Sequence, residues 1–143
     1  MSKLIALDYG TKKVGVAFCH LDFFLVFPRP TLVNDERLLP NLLELVRSEN
    51  LEKIVIGLPL YTNNQESKQT KLVYEFADKL KAALLEADLA KCEVLFHDEK
   101  LTTFEAKNLV EDLKATDLNQ DLDSLSAVLI LRDYLGLPAA NSI

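Results

Sequence analysis

The chain has 143 residues, 49% of them hydrophobic, and carries a formal net charge of −6. That length suits one domain spanning residues 1–143 and leaves little room for a second. The acidic balance argues against a strong general nucleic-acid binder, because non-specific affinity comes mostly from Lys and Arg neutralising phosphates. It leaves a metal enzyme open, since clustered carboxylates are how a protein collects divalent cations. Asp8 comes too early for a secretory apolar segment, and no apolar run reaches membrane-spanning length, so a cytoplasmic protein without a membrane partner is expected. Cys19 and Cys92 lie far apart with no CxxC spacing, so neither a disulfide framework nor a zinc site is expected.

In chain order, Lys3–Leu7 is a short apolar run ending on Asp8, and Val14–Cys19 is a second. Gly10-Thr11-Lys12-Lys13 separates them, which reads as a β-hairpin. A third strand is expected at Phe23–Phe27, closed by Pro28-Arg29-Pro30. Leu38, Leu39, Leu42, Leu43, Leu45 and Val46 have helical period, with Pro40 in the first turn, where a missing N–H costs little. Lys53–Ile56 is a buried-type strand, expected to stop at Gly57-Leu58-Pro59. After a polar loop from Tyr61 to Lys68, a long amphipathic helix carries Leu72, Val73, Phe76, Leu80 and Leu84 on one face. Cys92–Phe96 is the last strand, ending at His97-Asp98-Glu99. Thr102 and Glu105 have capping-box spacing for a helix to about Leu113. Asp123 or Asp121 is expected to cap the final helix, with Gly136 as its stop. The order βββαβαβα describes an α/β fold. Its mixed five-stranded sheet has the first three strands antiparallel and helices on its faces.

If that topology holds, Asp8, Glu99 and Asp123 gather near one edge of the sheet, where sites in open sheets collect. Carboxylates brought together repel unless a cation binds or a proton is shared. A pair of Mg²⁺ or Mn²⁺ ions on such acids can activate water and stabilise the leaving oxygen of a phosphodiester. Each acid also has a plain alternative: Asp8 as a turn residue bonding the Gly10 or Thr11 amide, Glu99 as a solvated loop acid, Asp123 as a helix cap. Lys12 and Lys13, beside Asp8, suit phosphate contact or a solvated turn. Thr102 and Thr103 suit a phosphate at a helix start, although capping alone explains Thr102. His97 is either a proton relay or a structural strand-end residue.

Four segments together resemble the YqgF-type, RuvX-like family. Leu7-Asp8-Tyr9-Gly10-Thr11-Lys12-Lys13-Val14-Gly15-Val16-Ala17 is similar to its opening motif, and Ile54-Val55-Ile56-Gly57-Leu58-Pro59-Leu60 to its central strand and loop. Asp98-Glu99-Lys100-Leu101-Thr102-Thr103-Phe104-Glu105-Ala106 resembles its third motif, and Asp123-Ser124-Leu125-Ser126-Ala127-Val128 its C-terminal helix opening. The resemblance implies a ribonuclease H-like fold, catalytic and metal-binding acids at Asp8, Glu99 and Asp123, and Mg²⁺ or Mn²⁺ as cofactor. It implies a nuclease acting either in 5′-end maturation of precursor 16S ribosomal RNA, with ribosomal particles as partners, or on branched DNA as a Holliday junction resolvase. The chain departs from the family in three places. Tyr61-Thr62-Asn63-Asn64-Gln65-Glu66-Ser67 replaces a Gly-containing loop. Lys100 stands for Arg, keeping charge but giving up bidentate phosphate geometry. The segment from Lys114 to Asp121 carries a single Lys where relatives are often basic. A monomer or weak dimer is expected.

Two other functions compete. The acidic total and non-basic loop suit a non-catalytic RNA-binding ribosome-assembly factor on the same fold. Asp8-Tyr9-Gly10-Thr11 also looks like the first phosphate loop of sugar kinases and actin, although no second such loop is evident.

Overall fold

In a computed structural model the described residues are 3–22, 24–60, 68–100 and 124–137, with backbone alone at 60, 99 and 100. The elements run β1 (Lys3–Tyr9), β2 (Lys13–His20), β3 (Leu25–Val33), α1 (Leu38–Glu49), β4 (Lys53–Leu60), α2 (Lys68–Glu86), β5 (Glu93–Lys100) and α3 (Leu125–Tyr134). The strands form one sheet in the order β3-β2-β1-β4-β5. The hairpin partners pair antiparallel, whereas β4 and β5 run parallel to β1. The element order and the mixed sheet are those expected. The segment expected to be helical from Thr102 to about Leu113 lies outside the described residues.

Alternation along the strands divides the core. Ile5, Leu7, Val14, Val16, Ile54 and Ile56 face α1 and α2, while Leu4, Ala6, Ala17, Cys19 and Val55 face α3. A strand period of two thus sorts each strand's side chains into two layers, and a nearly continuous apolar sequence is what a sheet covered on both faces requires. Ala6 and Ala17 are short, which lets α3 lie close to β1 and β2. On the other face Leu80 anchors the middle of α2 and is fully buried. Leu80→Ala is expected to cost roughly 2–5 kcal/mol, from lost transfer energy plus a cavity, measurable as a shifted urea midpoint.

Three strands outrun their sequence limits. β3 continues through Pro28-Arg29-Pro30 to Val33. It is an edge strand of this sheet, where a missing N–H removes no ladder bond if it faces outward. β4 passes through Gly57-Leu58-Pro59 because β5 follows it, pairing Pro59 with Glu99 and Leu60 with Lys100. Its pairing with β1 ends at Leu7 and Ile56, so beyond that point one side of β4 is released and proline is tolerated. β5 accordingly reaches Lys100 rather than ending at Phe96.

The helix ends follow local chemistry. Pro40 sits in the first turn of α1, as expected. Asn50 closes that helix in the left-handed conformation, φ 54°, and Leu51 N–H donates to the Val46 carbonyl at 3.1 Å. Gly136, φ +73°, ends α3 as expected, with Leu137 N–H donating to the Arg132 carbonyl at 2.8 Å. Ser124 occupies the N-cap position of α3 and its side chain makes no capping bond to the helix amides; Asp121 and Asp123, the expected caps, lie outside the described residues. Both cysteines are buried free thiols, and burial with the nearby Glu93 carboxylate pushes Cys92 up to about 11. A thiol so protonated at neutral pH is a packing residue. Among the described residues no helix is long and apolar enough to cross a membrane.

Candidate active site

The C-terminal ends of the three mutually parallel strands, β1, β4 and β5, form one edge of the sheet. Asp8 lies near the end of β1, half-buried, with Gly15 of β2 directly opposite. On its other side the register of β1 with β4 brings Gly57 next, and Gly57 pairs with His97 of β5. Positions 8, 15 and 57 share the strand parity of the residues that face α3. Asp8 is therefore flanked on that face by two positions without side chains, leaving a bare strip of backbone on either side of a carboxylate. Position 99 has the parity of His97 and lies two residues further along β5, opposite Pro59. The strand axes of β1 and β5 are about 10 Å apart, two strand spacings.

The turn after Asp8 is tightly held. Gly10 N–H donates to the Lys13 carbonyl at 3.0 Å, and a Cβ on Gly10 would stand 2.5 Å from that same oxygen. Asn34 reaches across from the end of β3, its side-chain amide donating to the Gly10 carbonyl at 2.7 Å and its backbone N–H to Lys12 at 2.9 Å. Gln69 of α2 donates to the Tyr9 carbonyl at 2.8 Å, and the Tyr9 ring stacks on Phe76 at 4.5 Å. The Gly10 amide is thus closed by backbone, and the Asp8 position is fixed by strand pairing and by two side chains distant in sequence. Lys12 and Lys13 are exposed on this turn, at the same sheet edge as Asp8. Their side chains project from a rigid frame, as phosphate-positioning cations require.

On β5, His97 is the end of a small polar chain to α3. Its Nε2–H donates to the Asp133 carboxylate at 2.5 Å, and its ring meets Tyr134 edge-on at 6.0 Å. With Asp133 largely exposed, this is a surface pair of small energetic value, whose effect is to tie the C-terminal end of α3 to the edge strand. The other end of α3 is tied at β2 and β3. Ser124 is fully buried; its Oγ accepts from Val16 N–H at 3.0 Å and donates to the Arg29 carbonyl at 2.6 Å. The helix therefore spans the sheet beneath β1 and β4.

Of the expected site residues, Asp8, Lys12 and Lys13 have described side chains, and Glu99 and Lys100 are described as backbone at the end of β5. Asp123 and Thr103 lie outside the described residues, next to the anchored Ser124 in the case of Asp123. Among the described residues no three His, Cys, Asp or Glu side chains form a metal-binding group. The described donor at this edge is the Asp8 carboxylate, a hard oxygen ligand of the kind Mg²⁺ and Mn²⁺ select, flanked by Gly15 and Gly57. Sequence reasoning missed the Gly15–Asp8–Gly57 strip and the Asn34, Gln69 and Ser124 contacts. Only the glycines had a signal, as interruptions of otherwise apolar strands.

On the opposite face of the sheet a groove of about 260 Å³ lies between α1 and α2, lined by Tyr9, Leu38, Leu39, Phe76 and the acids Asp35, Glu36 and Glu75, with Lys79 as its cation. Three carboxylates repel a triphosphate, so this groove gives no support to nucleotide binding of the kinase type.

A mixed sheet of this order, with helices on both faces and acids ending parallel strands, defines the ribonuclease H-like class. T. thermophilus RuvC in complex with Holliday junction substrate shares the fold, with a TM-score of 0.55 at 12% identity over 97% of this chain and 98% of that one. The chain belongs to the RuvX family, described as Holliday junction resolvase, whose model matches residues 2–136. A relative from a Sulfurihydrogenibium species, named "Putative pre-16S rRNA nuclease", is 33% identical over 94% of this chain and 90% of its own length. One from Rickettsia typhi with the same name is 35% identical over 92% of this chain and 83% of its own length.

Proposed function

We propose that this protein is a divalent-metal-dependent nuclease that hydrolyses phosphodiester bonds, acting on the 5′ end of precursor 16S ribosomal RNA. The observation that carries this reading is the edge at which Asp8 and position 99 end parallel strands in a chain of the RuvX family. Asp8, Glu99 and Asp123 are the residues that would hold Mg²⁺ or Mn²⁺. When bound, the cation supplies Lewis acidity that activates water and offsets charge on the phosphoryl oxygens. The remaining work falls to the chain itself. Gly15 and Gly57 keep the strand surface beside Asp8 low enough for a sugar–phosphate backbone to approach. Lys12, Lys13, Lys100 and Thr103 supply cations and a hydroxyl for flanking phosphates. The rigid turn from Gly10 to Lys13 holds the first two in register with Asp8.

The choice of ribosomal RNA rests on the relatives above 30% identity, which carry that name. A second reading, cleavage of branched DNA, draws on the family's description. The acidic chain has few cations to grip a duplex, which favours a substrate delivered by a larger particle over an isolated four-way junction. Precursor 16S RNA, alone and within ribosomal particles, and a four-way DNA junction are to be incubated side by side with Mn²⁺. Trimming of the RNA 5′ end, strongest on particles, is the expected result. Junction cleavage without RNA trimming would replace this reading with the second. No cleavage of any substrate, with RNA binding intact, would leave a non-catalytic assembly factor.

A further inference from the structure

Between the pairs Val14–Leu32 and Val16–Arg29, β2 contributes one residue, Gly15, and β3 contributes two, Pro30 and Thr31. This is a β-bulge, and bulges part the ladder where they occur. Here the parted groups are Val16 N–H and the Arg29 carbonyl, and the Ser124 hydroxyl fills the gap by accepting from the first at 3.0 Å and donating to the second at 2.6 Å. Ser124 is fully buried, and it spends its hydroxyl on the sheet rather than on the helix it precedes. A bulge residue, Gly15, is the direct partner of Asp8.

We propose that Ser124 is a positioning residue of the nuclease site, its hydroxyl wedged in the β2–β3 bulge so that the start of α3, which directly follows Asp123 in sequence, is fixed against the strand that sets Gly15 opposite Asp8. The proposal rests on the metal-site reading given above. The hydroxyl fits this role because it satisfies a donor and an acceptor together, which fixes the hydroxyl's position in two directions. Alanine would leave both backbone groups buried and unpaired and would free the start of α3 to shift. Outer-shell contacts that orient ligands typically govern metal affinity by 10–100-fold.

The test is Mn²⁺ binding by titration calorimetry on the full chain, with unfolding temperature measured in parallel. Wild type is compared with Ser124→Ala, Asp8→Asn, and Ile130→Val, which loosens the buried face of α3 without touching the bulge. Ser124→Ala is expected to bind Mn²⁺ at least about ten-fold more weakly, while Ile130→Val matches wild type in affinity despite a lowered unfolding temperature. Equal affinity in wild type and Ser124→Ala overturns the proposal, as does an equal loss in Ile130→Val, which would make the effect general loosening. Should Ser124→Ala not fold, Ser124→Cys keeps the volume, weakens both hydrogen bonds and carries the same comparison. Failure of wild type itself to bind Mn²⁺ would instead defeat the underlying metal-site reading.

Discussion

Asp8→Asn is expected to abolish metal-dependent cleavage while leaving the fold intact. The substitution keeps the volume and planar shape of the side chain, and the strand pairing of position 8 with Gly15 is made by backbone. What it removes is a negative charge and one hard oxygen donor at the edge where the metal ligands are proposed to meet. Electrostatic stabilisation by a catalytic metal is worth several kcal/mol, so the rate is expected to fall on the order of 1,000-fold or more. The protein should remain folded, because the amide keeps the shape of the carboxylate and the backbone pairing of position 8 is untouched. Cleavage of precursor RNA in Mn²⁺, with unfolding followed by circular dichroism, reads both parts. Retained cleavage in a folded Asp8→Asn protein removes Asp8 from the chemistry.

Gly10→Ala is expected to damage stability and activity together. The added methyl would stand 2.5 Å from the Lys13 carbonyl oxygen, which is backbone and already accepts the Gly10 N–H. Relief requires the turn to open, and opening it strains the contacts of Asn34 with Gly10 and Lys12 and of Gln69 with Tyr9. Overpacking and one or two weakened hydrogen bonds together cost on the order of 2–4 kcal/mol. For a chain of this size that lowers Tm by roughly 6–15 °C. Cleavage should fall even well below Tm, since the displaced turn follows Asp8 directly and carries Lys12 and Lys13. Gly136→Ala supplies the contrast. There φ is +73° but nothing lies within 4 Å of the added carbon, so only the conformational cost of about 1 kcal/mol is expected.

The fold was legible because its signals are periodic. Apolar runs of strand length and stripes of helical spacing mark all eight described elements, and the two faces of the sheet follow from alternation. Strand ends were less legible, for a physical reason. Pro28, Pro30 and Pro59 read as stops when each strand is considered alone, and only the sheet order shows that the first two lie on an edge strand and the third beyond the end of the β1–β4 pairing. Of the candidate site, Asp8 was singled out because a charge closing an apolar run in a covered sheet needs a reason. Position 99 followed from the same argument on β5. Asp123 read ambiguously as a helix cap or a ligand, and it lies outside the described residues, just before the Ser124 that occupies the N-cap position. The contacts that frame the site join residues 108 positions apart in the case of Val16 and Ser124, and 60 apart for Tyr9 and Gln69. No local pattern encodes such pairs, because they depend on how α2 and α3 cross the sheet.

A crystal soaked in Mn²⁺ and measured at the manganese absorption edge offers the most direct trial. One or two anomalous peaks within coordination distance of carboxylate oxygens from Asp8, Glu99 and Asp123 together are the predicted result. Saturating Mn²⁺ with those three side chains apart and no peak between them would contradict the account.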